Sequence, residues 1–197
     1  MEEEEWIKRI QQGEMQYLTL LIKRHYPSIQ KYCYWKIRSM EDAEDLTQET
    51  FYRFCRKTDH FNREGKYLAY MYTIARNVCW DYLRKKKKIR LMESSEMMNR
   101  SVIENASMED QVNNEQIVHQ LLQTLPEEQS EVVFMRFCLD LTYRDIARIT
   151  GINQWVVQYR IKRGLNALRQ HWEWKEKYGE KELSRSSYAE KLPFTSS

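Results

Sequence analysis

Along most of this chain the apolar positions recur at three- and four-residue spacing, the period of helices packed through one face. Ala43, Leu46, Thr50 and Phe54 form one such stripe over about 40–57 and leave Asp42, Asp45, Glu49, Tyr52 and Arg56 on the opposite side. Ser39, with Asp42 three residues on, predicts the start of that helix as a capping box. After a polar loop at 59–66, Leu68, Met71, Ala75, Val78 and Tyr82 predict a helix over about 67–88. Its outer face carries Tyr70, Thr73, Asn77 and Arg84, and it runs out into a basic tract, Arg84-Lys85-Lys86-Lys87-Lys88-Ile89-Arg90. Upstream, Ile7, Ile10, Tyr17, Leu18, Leu21 and Ile22 predict two helices across Trp6 to Arg38, broken near Pro27.

The helical period returns near Glu115. Ile117, Leu121 and Leu122 mark one helix, and Leu125-Pro126-Glu127-Glu128 opens the next, with proline at the first helical position and acids in the first turn. Val132, Val133, Met135 and Phe137 supply the apolar content of that helix. Thr142-Tyr143-Arg144-Asp145 is a second capping box, and Ile146, Ala147 and Ile149 give the short helix behind it an inward face. Gly151 suits the left-handed exit from that helix, and Asn153 is a good N-cap for another. The last helix buries Val157, Ile161, Gly164, Leu165 and Leu168 and presents Trp155, Gln158, Tyr159 and Lys162, flanked by Gln154, Arg160 and Arg163. A short helix, a glycine turn and a longer polar-faced helix read as a helix-turn-helix, whose second helix reaches base edges while basic flanks meet phosphate. A plain three-helix protein-binding domain shares the pattern.

The predicted fold is therefore all-α, with two small helical domains at 1–92 and 114–172. Residues 93–113, rich in Ser, Asn, Glu and Met without a sustained period, read as a flexible linker. Extended at ~3.3 Å per residue, such a linker reaches roughly 65 Å, nearly two turns of duplex. The polar stretch 173–197 reads as a loosely ordered tail.

Composition narrows the function classes. Net charge is only +3, so its distribution matters more: four glutamates at Glu2 to Glu5, then the basic tract. No stretch approaches the ~20 apolar residues of a membrane span, and the acidic start is unlike a signal peptide. The four cysteines, Cys33, Cys55, Cys79 and Cys138, lack the close pairing of zinc sites and read as free thiols of a reduced cytoplasm. Histidines 25, 60, 119 and 171 are equally dispersed. No metal site, cofactor, nucleophile–base pair or phosphate loop is expected, and an enzyme is not the expected class.

Three motifs in order carry a family resemblance over roughly residues 5 to 170. Asp42-Ala43-Glu44-Asp45-Leu46-Thr47-Gln48-Glu49-Thr50-Phe51 closely resembles the core-polymerase-binding helix of bacterial sigma factors. Tyr72-Thr73-Ile74-Ala75-Arg76-Asn77, continuing through Asp81-Tyr82-Leu83-Arg84, resembles their promoter −10 helix. Leu125-Pro126-Glu127-Glu128-Gln129, then Tyr143-Arg144-Asp145-Ile146-Ala147 and Gly151-Ile152, resembles their −35 domain. Order and spacing are similar to the two-domain extracytoplasmic-function group of the sigma-70 family, with a region 2 helical bundle followed by a region 4 helix-turn-helix.

The resemblance implies a cytoplasmic initiation factor that binds bacterial RNA polymerase core (β′ and β subunits), directs it to promoter −10 and −35 elements and nucleates melting. Asp42, Asp45, Gln48 and Glu49 would dock on the β′ coiled coil; a solvated acidic face is the alternative. Tyr67, Tyr70, Arg76, Asn77, Trp80, Asp81 and Arg84 would read single-stranded −10 DNA, with Lys85, Lys86, Lys87 and Lys88 on phosphate. Asn153, Gln154, Trp155, Gln158, Tyr159, Arg160, Lys162 and Arg163 would meet the −35 duplex. An anti-sigma factor, often membrane-bound in this group, is an implied partner; a small-molecule substrate is not. Tyr70 stands where the family usually has tryptophan. Trp155 and Gln158 replace the family's small and basic residues, so either the preferred sequence differs or Trp155 packs back on its own domain. Two rivals stand beside this reading. A free-standing dimeric helix-turn-helix regulator leaves the acidic helix unused, and an RNA-binding module leaves the second domain unexplained.

Overall fold

In a computed structural model, residues 2–56, 67–94 and 114–178 are described, with side chains over 2–56, 67–91 and 117–171. Among them are eight α-helices: α1 (Glu2–Gln11), α2 (Gln16–Ile37), α3 (Met40–Cys55), α4 (Tyr67–Ser94), α5 (Asn114–Gln123), α6 (Glu127–Phe137), α7 (Tyr143–Thr150) and α8 (Gln154–Tyr178). The expected loop at 59–66 lies outside the described residues, as do nearly all of the linker at 93–113 and the tail beyond 178.

Helices α1 to α4 pack as one bundle around Leu21, Ile29, Tyr32, Ala43, Phe54, Met71, Ala75 and Val78, all buried. Ser39 caps α3 as expected: its Oγ accepts from the Asp42 amide at 3.3 Å. On the inner face of α3, Thr47 and Thr50 turn their hydroxyls back onto the Ala43 and Leu46 carbonyls, at 2.6 and 2.7 Å, so neither buried oxygen is left unpaired. Cys33 and Cys79 are buried with their thiols in contact between α2 and α4, and none of the four cysteines is in a disulfide.

The break expected near Pro27 falls elsewhere. Pro27 lies inside α2, and the break comes instead after Gln11, with Gly13 at φ +89° in the turn. Pro27 and Lys23 both face solvent, so water can serve the Lys23 carbonyl that proline leaves without a donor. Two apolar assignments also shift. Phe134 is buried in α6 while Phe137 is 54% exposed, and Leu165 of α8 is 39% exposed rather than buried. Helix α8 itself continues past residue 172 to Tyr178, into the stretch expected as tail.

Helices α5 to α8 form the second module around Leu122, Val132, Val133, Met135, Ile146, Ile149, Val157 and Ile161. Thr142 caps α7 by accepting from the Asp145 amide at 3.1 Å, and Gly151, at φ +74°, closes that helix. The Asn153 side chain accepts from the Trp155 amide at 2.9 Å and starts α8. A Cβ on Gly164 would lie 2.9 Å from Val133 Cγ2, so glycine lets α8 approach α6 closely.

The two modules are not held apart: α7 packs against α4, and α6 lies over α2 and α4. Glu131, only 4% exposed, accepts the Tyr32 hydroxyl at 2.9 Å. It also pairs with the Arg76 guanidinium through two bonds of 3.1 and 3.2 Å. Beside it Trp35 stacks on Phe134 at 4.4 Å between ring centroids.

Candidate nucleic-acid interface

The outer face of α3 keeps Asp45 and Gln48 exposed. Glu49 is half-buried and bonded to Arg53 at 2.6 Å. Asp42 accepts the Tyr82 hydroxyl, which holds its carboxyl below the usual carboxylate range, helped by Ser39 and Lys86. Lys86 in turn reaches the same hydroxyl at 3.2 Å, so the acidic face and the basic tract are tied through Tyr82.

Over α4, the predicted −10 residues divide into three groups. Tyr70 and Asn77 line an open cleft of about 420 Å³ with Thr73, Ile74 and, from α3 and its C-cap, Arg53 and Arg56. Arg53, Arg56, Thr73 and Ile74 were not among the expected site residues; the outer-face positions of Arg56 and Thr73 were the available signal. Further along, Arg84 pairs with Asp81 at 2.8 Å, and Lys85 to Lys88 are exposed on continuous helix. Tyr67 sits apart from both, its hydroxyl bonded to Glu3 and its ring edge-on to His25. Burial and Glu3 push that phenol well up, so it stays a neutral donor.

The third group is Arg76, which reaches Glu131 of the second module, and Trp80, 38% exposed, whose ring lies under Arg76 and Lys36. Burial opposes the Arg76 charge, but the bonds and charge of Glu131 outweigh it and raise the guanidinium pKa. Burial, then Glu131, keeps the Tyr32 phenol well above its ordinary value, so Tyr32 donates and Glu131 accepts. The Lys36 ammonium lies 4.3 Å from the Trp80 ring centroid and 5.5 Å from that of Trp35. Its nitrogen bonds Glu127 at 2.6 Å, with the side chain 5% exposed. A desolvated ammonium held by two indole faces and one carboxylate is a specific contact, and Lys36 carries no sequence signal for it.

On α8, Trp155 is 77% exposed and Tyr159 57%, one turn apart. Asn153, Gln154, Lys162 and Arg163 are exposed and Gln158 is half-buried. Arg163 donates to the Tyr159 hydroxyl at 3.0 Å. Arg160 turns away from this edge and pairs with Glu128 of α6. Among the described residues no group of acidic, histidine and cysteine side chains could hold a metal ion, and no helix is long and apolar enough to cross a membrane.

The sigma-70 region 2 model matches residues 21–89, and the sigma-70 region 4 model matches residues 115–168. The chain belongs to the sigma-70 family. Among curated relatives, this sigma factor is 29% identical over 171 residues to the ECF RNA polymerase sigma factor BldN of Streptomyces coelicolor. That alignment covers 83% of this chain but 64% of BldN. It is 27% identical over 173 residues to ECF RNA polymerase sigma factor SigW of Bacillus subtilis, covering 83% of this chain and 92% of SigW. The sigma factor is thus of the extracytoplasmic-function group, a transcription initiation factor. A solved structure of the sigma factor RpoE with the anti-sigma factor NepR, from Bartonella quintana, shares its fold. The TM-score is 0.64 at 22% identity, over 79% of this chain and 96% of that one.

Proposed function

We propose that this sigma factor divides its work among three surfaces. The outer face of α3, with Asp42, Asp45, Gln48 and Glu49, docks on the β′ coiled coil of bacterial RNA polymerase core. An acidic helix against a basic partner gains steering and register from charge complementarity. The α4 face with Tyr70, Asn77, Trp80, Asp81 and Arg84 takes the −10 element as single strands and so nucleates melting, while Lys85 to Lys88 hold phosphates. The α7–α8 unit reads the −35 duplex through Asn153, Gln154, Trp155, Gln158, Tyr159, Lys162 and Arg163. Arg76 and Arg160 join these surfaces only after giving up Glu131 and Glu128, and Tyr67 supports α4 from behind.

The observation that carries this assignment is the cleft of about 420 Å³ at Tyr70 and Asn77, on the same helix that exposes the lysine tract. Unstacking a base costs a few kcal/mol, and stacking in a protein site returns about 1–3 kcal/mol per base. A cleft with an aromatic wall, an amide and two arginines suits that exchange. An anti-sigma factor, of the kind that accompanies RpoE in its solved complex, is part of the proposal as the regulating partner.

Run-off transcription with bacterial core polymerase, with and without this chain, tests the reading. New transcript starts that share two upstream elements are expected. Asp45→Arg with Glu49→Arg should abolish both the starts and core association while the helical content stays intact. Wild-type association by that variant would remove the docking surface from α3.

A further inference from the structure

We infer that Trp155 reads thymine methyl groups in the −35 duplex and sets this sigma factor's upstream sequence preference. The inference rests on the −35 reading of α8 given above and names the chemistry of that contact. Trp155 is 77% exposed, the largest exposure among the big apolar side chains of the described residues, so it does not pack back on its own domain. Its backbone is nonetheless fixed, because its amide is held by the Asn153 side chain at 2.9 Å in the first turn of α8. The first turn of the second helix is the part of a helix-turn-helix that reaches base edges in the major groove.

One turn on, Tyr159 continues the same edge, 57% exposed and held by Arg163 through a 3.0 Å hydrogen bond. Lys162 and Arg163 then give the edge its charge, and Arg144 is exposed on α7. An apolar tip followed by cations complements a groove whose floor can be apolar and whose walls are phosphate. In the major groove the apolar feature of a base pair is the thymine C5-methyl, and an indole offers it contact area but only one donor. Gln158, half-buried beside this edge, remains able to address adenine through its amide. The occupant this surface fits is therefore thymine-bearing duplex.

The test uses the full chain bound to bacterial core polymerase and a randomised pool of duplex DNA. The wild-type complex should enrich an upstream element containing thymine. Deoxyuridine in place of thymidine, which deletes only the methyl, should then weaken binding about fourfold at the contacted position. Trp155→Ala, with unchanged helical content and melting temperature, should select a different base there and be indifferent to deoxyuridine. Indifference of the wild type to deoxyuridine would overturn the inference, as would a Trp155→Ala complex that is weaker on all sequences alike. The latter result would mean that Trp155 touches sugar-phosphate or protein. A pool that enriches no upstream element would remove the −35 reading itself and this inference with it.

Discussion

Gly164 and the two buried histidines show how single residues set the stability of this molecule. Alanine at 164 gains roughly 1 kcal/mol of helix propensity over glycine. Against that, its Cβ would lie 2.9 Å from Val133 Cγ2 and 3.3 Å from Leu125 Cδ1, both on buried residues. Val133 is β-branched and packed, so it cannot swing away, and overpacking of this kind costs about 1–3 kcal/mol. Gly164→Ala should therefore lower stability, by about 1 kcal/mol net, in urea unfolding; a more stable variant would mean that α6 and α8 can slide apart freely. Burial lowers the pKa of His25 against the opposing pull of Glu3, and burial with Arg38 lowers that of His119. Both groups bind fewer protons folded than unfolded. Their contribution is present above the ordinary value of 6.5 and is lost as pH falls below it toward the folded pKa. Melting temperature should thus decline from pH 7.5 to 5.5, and His25→Gln with His119→Gln should flatten the decline. An equal decline in the double variant would assign it to other groups.

At the scale of elements, α4 combines a buried face, a cleft and a basic end on one continuous helix. Nothing interrupts Tyr67–Ser94, so the exposed Lys85 to Lys88 are held in register with Tyr70 and Asn77 instead of trailing as a loose tail. Replacing Lys85 to Lys88 with alanine should weaken promoter binding on all sequences and flatten its salt dependence. Four lost phosphate contacts reduce the slope of log K against log salt by about three. An unchanged slope would return the tract to a solvated face. Three helix starts and one end were legible from capping chemistry: Ser39, Thr142 and Asn153 cap and Gly151 closes α7 as their sequence context predicts. Pro126, expected at the first helical position of α6, is its N-cap residue instead. Pro27 misled because proline disfavours a helix interior without forbidding it, and here it and Lys23 lie on the solvent side of α2. Phe134 and Phe137 misled because both stand in an apolar run, and which one is inward depends on Trp35 of the other module.

Across the whole molecule, the two modules are joined by Glu131 between Tyr32 and Arg76 and by Lys36 between Trp35, Trp80 and Glu127. In this arrangement Arg76, assigned to −10 DNA, is spent on Glu131 of the second module, while Trp80 carries the Lys36 ammonium that reaches Glu127. Removing Glu131 would leave the buried Tyr32 hydroxyl and the Arg76 charge without their carboxylate, a loss of less than about 3 kcal/mol because the Arg76 side chain is 25% exposed and can be hydrated. Glu131→Ala should therefore separate the modules, seen as a larger radius of gyration by small-angle X-ray scattering with the helical content retained. It should also raise the affinity of the free chain for single-stranded −10 DNA. An unchanged radius would mean that the apolar contact at Trp35 and Phe134 suffices by itself.

The sequence by itself determined the helices, the two-module order, the helix-turn-helix and the three motif-bearing faces. These follow from the 3.6-residue period and from caps, which act over a single turn. Only the tertiary structure decided that the modules close on each other, that Glu131 and the side chain of Lys36 are buried, and that Arg53 and Arg56 complete the cleft on α4. The reason is range. Tyr32 and Glu131 are 99 residues apart in the chain, and no local pattern around a mid-helix glutamate specifies a phenol on another domain. The exposure of Trp155 has the same origin, since an apolar residue faces solvent only where the fold offers it no neighbour.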